Sequence, residues 1–210
     1  MKYLNRIIGG SATIVMVFGF SSCMSFLPKP KSAPTVYRLS IPVNSSQMSV
    51  ENKIVINIGF PQAPRALSGT DIVLSPDGRR LTAAGGALWA EPVPNQIQLA
   101  LIDALASNKQ ITGVMPKGGI RAHYRLNIEI RRFEAIFDNG EEAAPKALVQ
   151  LDLTLTDTKT RELMGKYSAR QEIRARAKTV SAIVDAQDSA TSAAMGEISD
   201  WLNSLVDGKS

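Results

Sequence analysis

Two long stretches of the chain alternate apolar and polar side chains with a period of two. In AHYRLNIEIRRFEAIF, Tyr124, Leu126, Ile128 and Ile130 fall on one side, and His123, Arg125, Asn127, Glu129 and Arg131 on the other. In ALVQLDLTLTD, Val149, Leu151, Leu153 and Leu155 alternate with Gln150, Asp152, Thr154 and Thr156. Successive strand residues point to opposite faces, so both stretches predict antiparallel strands with one buried face and one wet face. Asp138-Asn139-Gly140 opens the loop between them, and residues 157–162 open the next. GKYSARQEIRA then supplies the third strand of a meander.

Upstream, VYRLSI (36–41) and NKIVINIGFP (52–61) are rich in β-branched and aromatic residues and predict two further strands. The alternation of Ile54, Ile56 and Ile58 with Val55 and Asn57 suits a central strand with one deeply buried face. DIVLSPDGRRLTAAGGALW predicts a strand pair about Pro76-Asp77-Gly78, where proline presets one dihedral and glycine accepts a positive one. In AEPVPNQIQLALIDALASNKQ the period lengthens: Ile97, Leu101, Ala104 and Leu105 recur at helical spacing, with Asn95 as the expected N-cap. ITGVMP (111–116) predicts a short strand. Near the end, Val180, Val184, Ala194, Ile198, Leu202 and Leu205 form one apolar stripe on a long helix that Gly208 would end. The expected product is one α/β domain of about seven strands and two main helices, the long helix covering the apolar side of the sheet.

The first residues follow neither period. MKYLNR carries Lys2 and Arg6 without an acid, and 14 residues from Ile7 to Phe20 are apolar or small. As a helix this run spans about 21 Å, short of the ~30 Å hydrocarbon core of a bilayer. A positive start, a short apolar run and a small-residue exit predict a secretory signal at residues 1–22. The exit, FSSC, places Ser21 and Ser22 directly before Cys23, the one cysteine of the chain. It resembles the lipobox of bacterial lipoproteins, which are cleaved before a lipidated cysteine, here between Ser22 and Cys23. Phe20 stands where that pattern usually has an aliphatic residue; plain secretion and an uncleaved anchor are the alternatives. A secreted protein usually keeps its cysteines in pairs, and here there is no second one. The next segment, MSFLPKPKSAPT (24–35), has three prolines and two lysines and predicts an extended tether.

Composition narrows the function classes. Loss of Lys2 and Arg6 with the signal lowers the formal charge from +5 to +3, a mildly basic balance. No cluster of cations with interleaved aromatics points to nucleic acid. His123 is the one histidine, which removes two-histidine metal sites and leaves it the one residue a histidine-based triad could use. It lies on the polar side of its strand and is expected to face solvent. Gly85-Gly86 and Gly118-Gly119 lack the spacing and following helix of a nucleotide fingerprint and predict turns or bulges. Glu141 and Glu142 sit together in a hairpin loop, where acids are usually solvated. Trp89 is expected in the core, with a lipid or partner contact as the alternative. No catalytic residue, metal site or cofactor is expected.

Several of these pieces together resemble the ABC-type transport auxiliary lipoprotein family, the lipoprotein partners of Mce-domain lipid transport systems. They are FSSC with its tether, VYRLSI, LWAEPVPNQIQLALIDAL, AHYRLNIEIRRFEA, ALVQLDLTLTD and the last helix with ISDWL. WAEP (89–92) is the most specific of them; the family more often has an acid where this chain has His123. The resemblance implies a single three-layer α/β domain over 36–207, with a mixed sheet ending in an antiparallel meander, and a non-enzymatic role. It also implies a location and partners: a lipid anchor in the outer membrane, an Mce-domain protein, and through it an inner-membrane ABC permease and ATPase. The other reading weighed is a structural or assembly lipoprotein for lipopolysaccharide export or a secretin.

Overall fold

The computed structural model describes residues 32–40 and 53–207. The expected signal, Ser22, Cys23, most of the tether, residues 41–52 and Gly208 lie outside the described residues. The elements are β1 (Thr35–Tyr37), β2 (Ile54–Ile58), β3 (Asp71–Ser75), β4 (Thr82–Trp89), α1 (Val93–Ala106), β5 (Ile111–Val114), β6 (Tyr124–Ile136), β7 (Lys146–Asp157), β8 (Leu163–Arg174) and α2 (Val180–Asp207). Short 3₁₀ turns occupy Arg65–Leu67 and Pro116–Gly118.

All eight strands join one mixed sheet organised around β6, which is 13 residues long. On one edge β6 pairs with β7, and β7 with β8, both antiparallel, as the alternating pattern predicts. The other edge is shared by two short strands in series. β2 runs parallel to the start of β6, with Ile56 opposite Tyr124 and Ile58 opposite Leu126. β3 runs parallel to its end, with Leu74 opposite Ala135. Between them the chain touches β6 through Gln62 and Glu129. β5 lies parallel outside β2, β4 antiparallel outside β3, and β1 parallel outside β4.

A bulge in β6 between Ile130 and Arg132 lets so long a strand keep one apolar face. Before it the even positions Leu126, Ile128 and Ile130 are buried; after it the odd positions Phe133 and Ala135 are. Their partners on β7 stay odd throughout: Leu155, Leu153, Leu151, Val149 and Ala147. One inserted residue shifts the phase and keeps both sets on one side. Helix α2 covers that side with Ile183, Val184, Ala190, Ala194, Met195, Ile198 and Leu202, and α1 adds Val93, Ile97, Leu101 and Leu105. The two helices touch each other as well as the sheet, so they form a single helical layer. Asn108, just past α1, ties them by donating to Ser199 Oγ at 3.1 Å and Asn203 Oδ1 at 3.0 Å. Among the described residues the core runs from Leu39 to Val206.

The α/β class, the mixed sheet, the meander and the two main helices are as expected. Among the described residues the strands number eight where about seven were expected. The stripe on α2 is as expected, with Val184, Ala194, Ile198 and Leu202 buried. Helix α1 begins earlier than Asn95. Pro92 is its N-cap residue and Asn95 falls in the first turn, where Pro94 is tolerated because first-turn N–H groups have no helical acceptor. The first strand covers three residues where six were expected.

Candidate functional site

The WAEP segment is the junction of four pieces of chain. Trp89 ends β4, and its backbone N–H donates to Thr70 O at 2.7 Å. Ala90 N–H donates to Tyr37 O at 2.6 Å, which ties down the end of β1, and Val93 N–H donates to Gly69 O at 3.1 Å. The Trp89 indole is 3% exposed, with its centroid 6.0 Å from that of Phe133, so the core reading of this residue holds. Pro92 then turns the chain into α1.

Two glutamines of α1 extend this junction. Gln96 Nε2 donates to Glu91 O and Gln96 Oε1 accepts from Leu39 N–H, each at 2.9 Å. Gln98 Nε2 donates to Ile58 O at 2.8 Å at the end of β2. Both glutamines are buried, and these bonds offset the cost of taking their amides out of water. Ser40 N–H donates to Asp188 Oδ1 at 3.0 Å, fastening the exit of β1 to α2. Burial raises the pKa of Asp188 above the usual range; the Ser40 N–H works against this and the charge of Asp185 adds to it.

Beside this junction lies a cleft of about 340 Å³ lined by Arg38, Leu39, Glu91, Gln96, Leu99, Ala100 and Asp103. It joins an exposed leucine, Leu99, to charges of both signs. A second cleft, of about 540 Å³, opens on the polar side of the sheet between Gln62, Ala63, Pro64, Asn127, Ile128, Glu129, Asp152 and Thr154. Its charges are engaged: Asp152 accepts from Ser168 Oγ at 2.7 Å and lies 3.6 Å from Arg131, which pairs with Glu129 at 2.6 Å.

The same holds for the most perturbed acids. The carboxylate of Asp138 is lowered to about 2, first by the hydrogen bonds from Arg174 and then by Lys146. Asp77 is lowered to about 2 by the N–H groups of Arg80 and Arg79 in its own turn. Glu172 is lowered by Lys146 and Arg170. These are ion pairs and turn contacts, without a nucleophile and base brought together. His123 is exposed, and its Nδ1 accepts from Val55 N–H at 3.0 Å, joining β2 to the start of β6. Glu142 is solvated and pairs with Lys178 at 2.5 Å. Gly86 and Gly119 have φ of +73° and +66°, the conformations expected of a bulge and a turn. Among the described residues no group of three or more His, Cys, Asp or Glu could hold a metal ion.

The order of elements did not reveal the first cleft, whose lining spans Arg38 to Asp103 and comes together only because β1 pairs with β4. The polar Gln96, one residue before Ile97 on an apolar helix face, was the one local signal.

The fold occurs elsewhere. Protein XCC0632 from Xanthomonas campestris, a DUF330-family protein, superposes with a TM-score of 0.71 at 20% identity, over 83% of this chain and 97% of that one. A second solved structure, described as an uncharacterized protein, gives 0.65 at 16% identity, over 81% and 99%. No curated protein sequence matches the chain. No described helix is long and apolar enough to cross a membrane. The profile of the ABC-type transport auxiliary lipoprotein component family matches residues 37–199, from the end of β1 to within α2. The chain therefore belongs to the ABC-type transport auxiliary lipoprotein component family.

Proposed function

We propose that this protein is the outer-membrane lipoprotein of an ABC/Mce-type system that moves phospholipid or a related lipid across the periplasm. The observation that carries the reading is the family match, which spans nearly all of the folded domain. In this reading the signal is cut between Ser22 and Cys23, and lipid on Cys23 holds the chain in the membrane. Met24 follows the cysteine, where an aspartate would favour retention in the inner membrane of enterobacteria. The tether, residues 24–35, reaches about 3.1 Å per residue when extended, so the domain works within some tens of ångströms of its anchor.

The part played is non-enzymatic. A domain whose buried Gln96 and Gln98 tie elements together, and whose acids of lowered pKa are engaged in ion pairs, suits a fixed point of attachment. The Mce-domain protein rising from the inner-membrane permease and ATPase would meet it there, and the β1–α1 cleft offers a place for that contact. Co-purification from detergent-solubilised membranes tests the reading. Recovery of an Mce-domain protein with the tagged lipoprotein is expected. Recovery of a secretin or a lipopolysaccharide-export barrel in its place would overturn it.

A further inference from the structure

The connection between β5 and β6 combines exposure, large apolar side chains and cations on one loop. Residues 115–121, MPKGGIR, are all exposed, and two of them are large and apolar: Met115 at 43% and Ile120 at 55%. Between and beside these lie Lys117 and Arg121. Between Asp103 and Glu129 the chain carries no acid, while Lys109, Lys117, Arg121 and Arg125 are all basic.

The loop is also held stiffly at its base. Gly118 N–H donates to Met115 O at 3.2 Å, and Gly119 turns the backbone with φ +66°. On the returning side His123 N–H donates to Val55 O at 2.8 Å, and Thr158 Oγ1 donates to Ala122 O at 2.7 Å. Phe60, 58% exposed, lies just past the end of β2; because β2 runs parallel to β5, it leaves the sheet at the same end as Met115. A single exposed apolar residue is ordinary on a protein surface. Apolar side chains and cations alternating on a braced turn, in a chain from a lipoprotein family, are the pattern of an element that lies in a membrane interface.

We propose that loop 115–121 docks on an anionic phospholipid surface, with Met115 and Ile120 entering the headgroup and acyl boundary and Lys117 and Arg121 meeting the phosphates. The loop would fix the orientation of the domain on the membrane that the lipid anchor brings near, and so set which face looks toward a partner. The inference needs a membrane nearby and does not depend on which system the protein serves.

The test uses the domain without its anchor, residues 32–210, since it contains the whole of the described core, Leu39 to Val206. Cosedimentation is measured with vesicles of phosphatidylglycerol and phosphatidylethanolamine, and with vesicles of phosphatidylcholine alone. The domain is expected to bind the anionic vesicles, to release them as salt is raised, and to ignore the neutral ones. Lys117→Ser and Arg121→Ser should each weaken binding about fivefold. Ile120→Ser should weaken it further, with an unchanged melting temperature because the side chain is exposed. Tryptophan emission of Ile120→Trp should shift to the blue on the anionic vesicles. Failure of the wild-type domain to bind at low salt, equal binding to neutral vesicles, variants that bind like wild type, or an unshifted emission would each overturn the proposal. Loss of vesicle binding would leave the transport reading standing, and loss of the Mce partner would leave this one.

Discussion

Leu39 and Gln96 are 57 positions apart in sequence, yet the Leu39 N–H donates to Gln96 Oε1 at 2.9 Å inside the core. The same amide donates to Glu91 O, so one side chain holds the exit of β1 against the start of α1. Removing it leaves the buried Leu39 N–H and the partly buried Glu91 carbonyl without these partners, and an unpaired buried donor costs about 1–3 kcal/mol. Gln96→Ala is therefore expected to lower the urea midpoint at near-neutral pH and to speed hydrogen exchange at Leu39 above all. Unchanged exchange at Leu39 would show that β1 is held by its pairing with β4 alone.

Asp138 and Arg174 join the β6–β7 loop to the end of β8 with contacts of 2.5 and 2.8 Å, and Lys146 adds a third at 3.3 Å. The Asp138 pKa falls from 3.8 to about 2, chiefly through Arg174. A folded-state pKa below the unfolded value means that the folded protein binds fewer protons, so stability rises with pH across that window. The contribution is complete above about pH 4 and is lost as pH falls toward 2. Asp138→Asn should lower stability near neutrality and flatten the loss between pH 4 and 2. A variant that tracks wild type through that range would contradict the assignment.

Gln187 lies on the buried side of α2, 2% exposed, and neither of its amide atoms has a hydrogen-bond partner. It faces a small void with Ile72, Val73, Trp89, Phe133 and Ile183, a lining otherwise almost entirely apolar. An unpaired amide in such a place costs about 1–3 kcal/mol. Gln187→Leu, close in size, should raise the melting temperature. A lower melting temperature would mean that the amide is satisfied in solution.

The meander and the covering helix were legible in the sequence because alternation in β6 and β7 and the stripe on α2 are local patterns with a fixed period. The burial of Trp89 was legible for a similar reason, being a large aromatic at the end of a strand. What β6 pairs with was not. Its division between β2 and β3 depends on register between distant segments, which periodicity does not encode, and the bulge near Arg131 is invisible in a pattern that continues IEIRRFEAI without a break. The start of α1 was misplaced because asparagine is the commoner cap, whereas here Pro92 fixes the entry and Asn95 follows it inside. The β1–α1 cleft escaped because it exists only after those strands pair. The cations and apolar residues of loop 115–121 were in view, yet Met115 and Pro116 were read as the end of a strand, which stops at Val114, and Gly118-Gly119 as a turn or bulge. Ser22 and Cys23 lie outside the described residues, so the anchor rests on the sequence alone.

That anchor is the point on which the account turns, since the tether, the docking loop and the transport role all presuppose a domain held at a membrane. Intact mass of the protein extracted from membranes tests it directly. The account predicts that the mature chain begins at Cys23, with a diacylglyceryl group on Sγ and an acyl chain on the new N-terminus, and that Cys23→Ser releases a folded domain from the membrane. A mature chain still beginning at Met1, or a free thiol at Cys23, would contradict it.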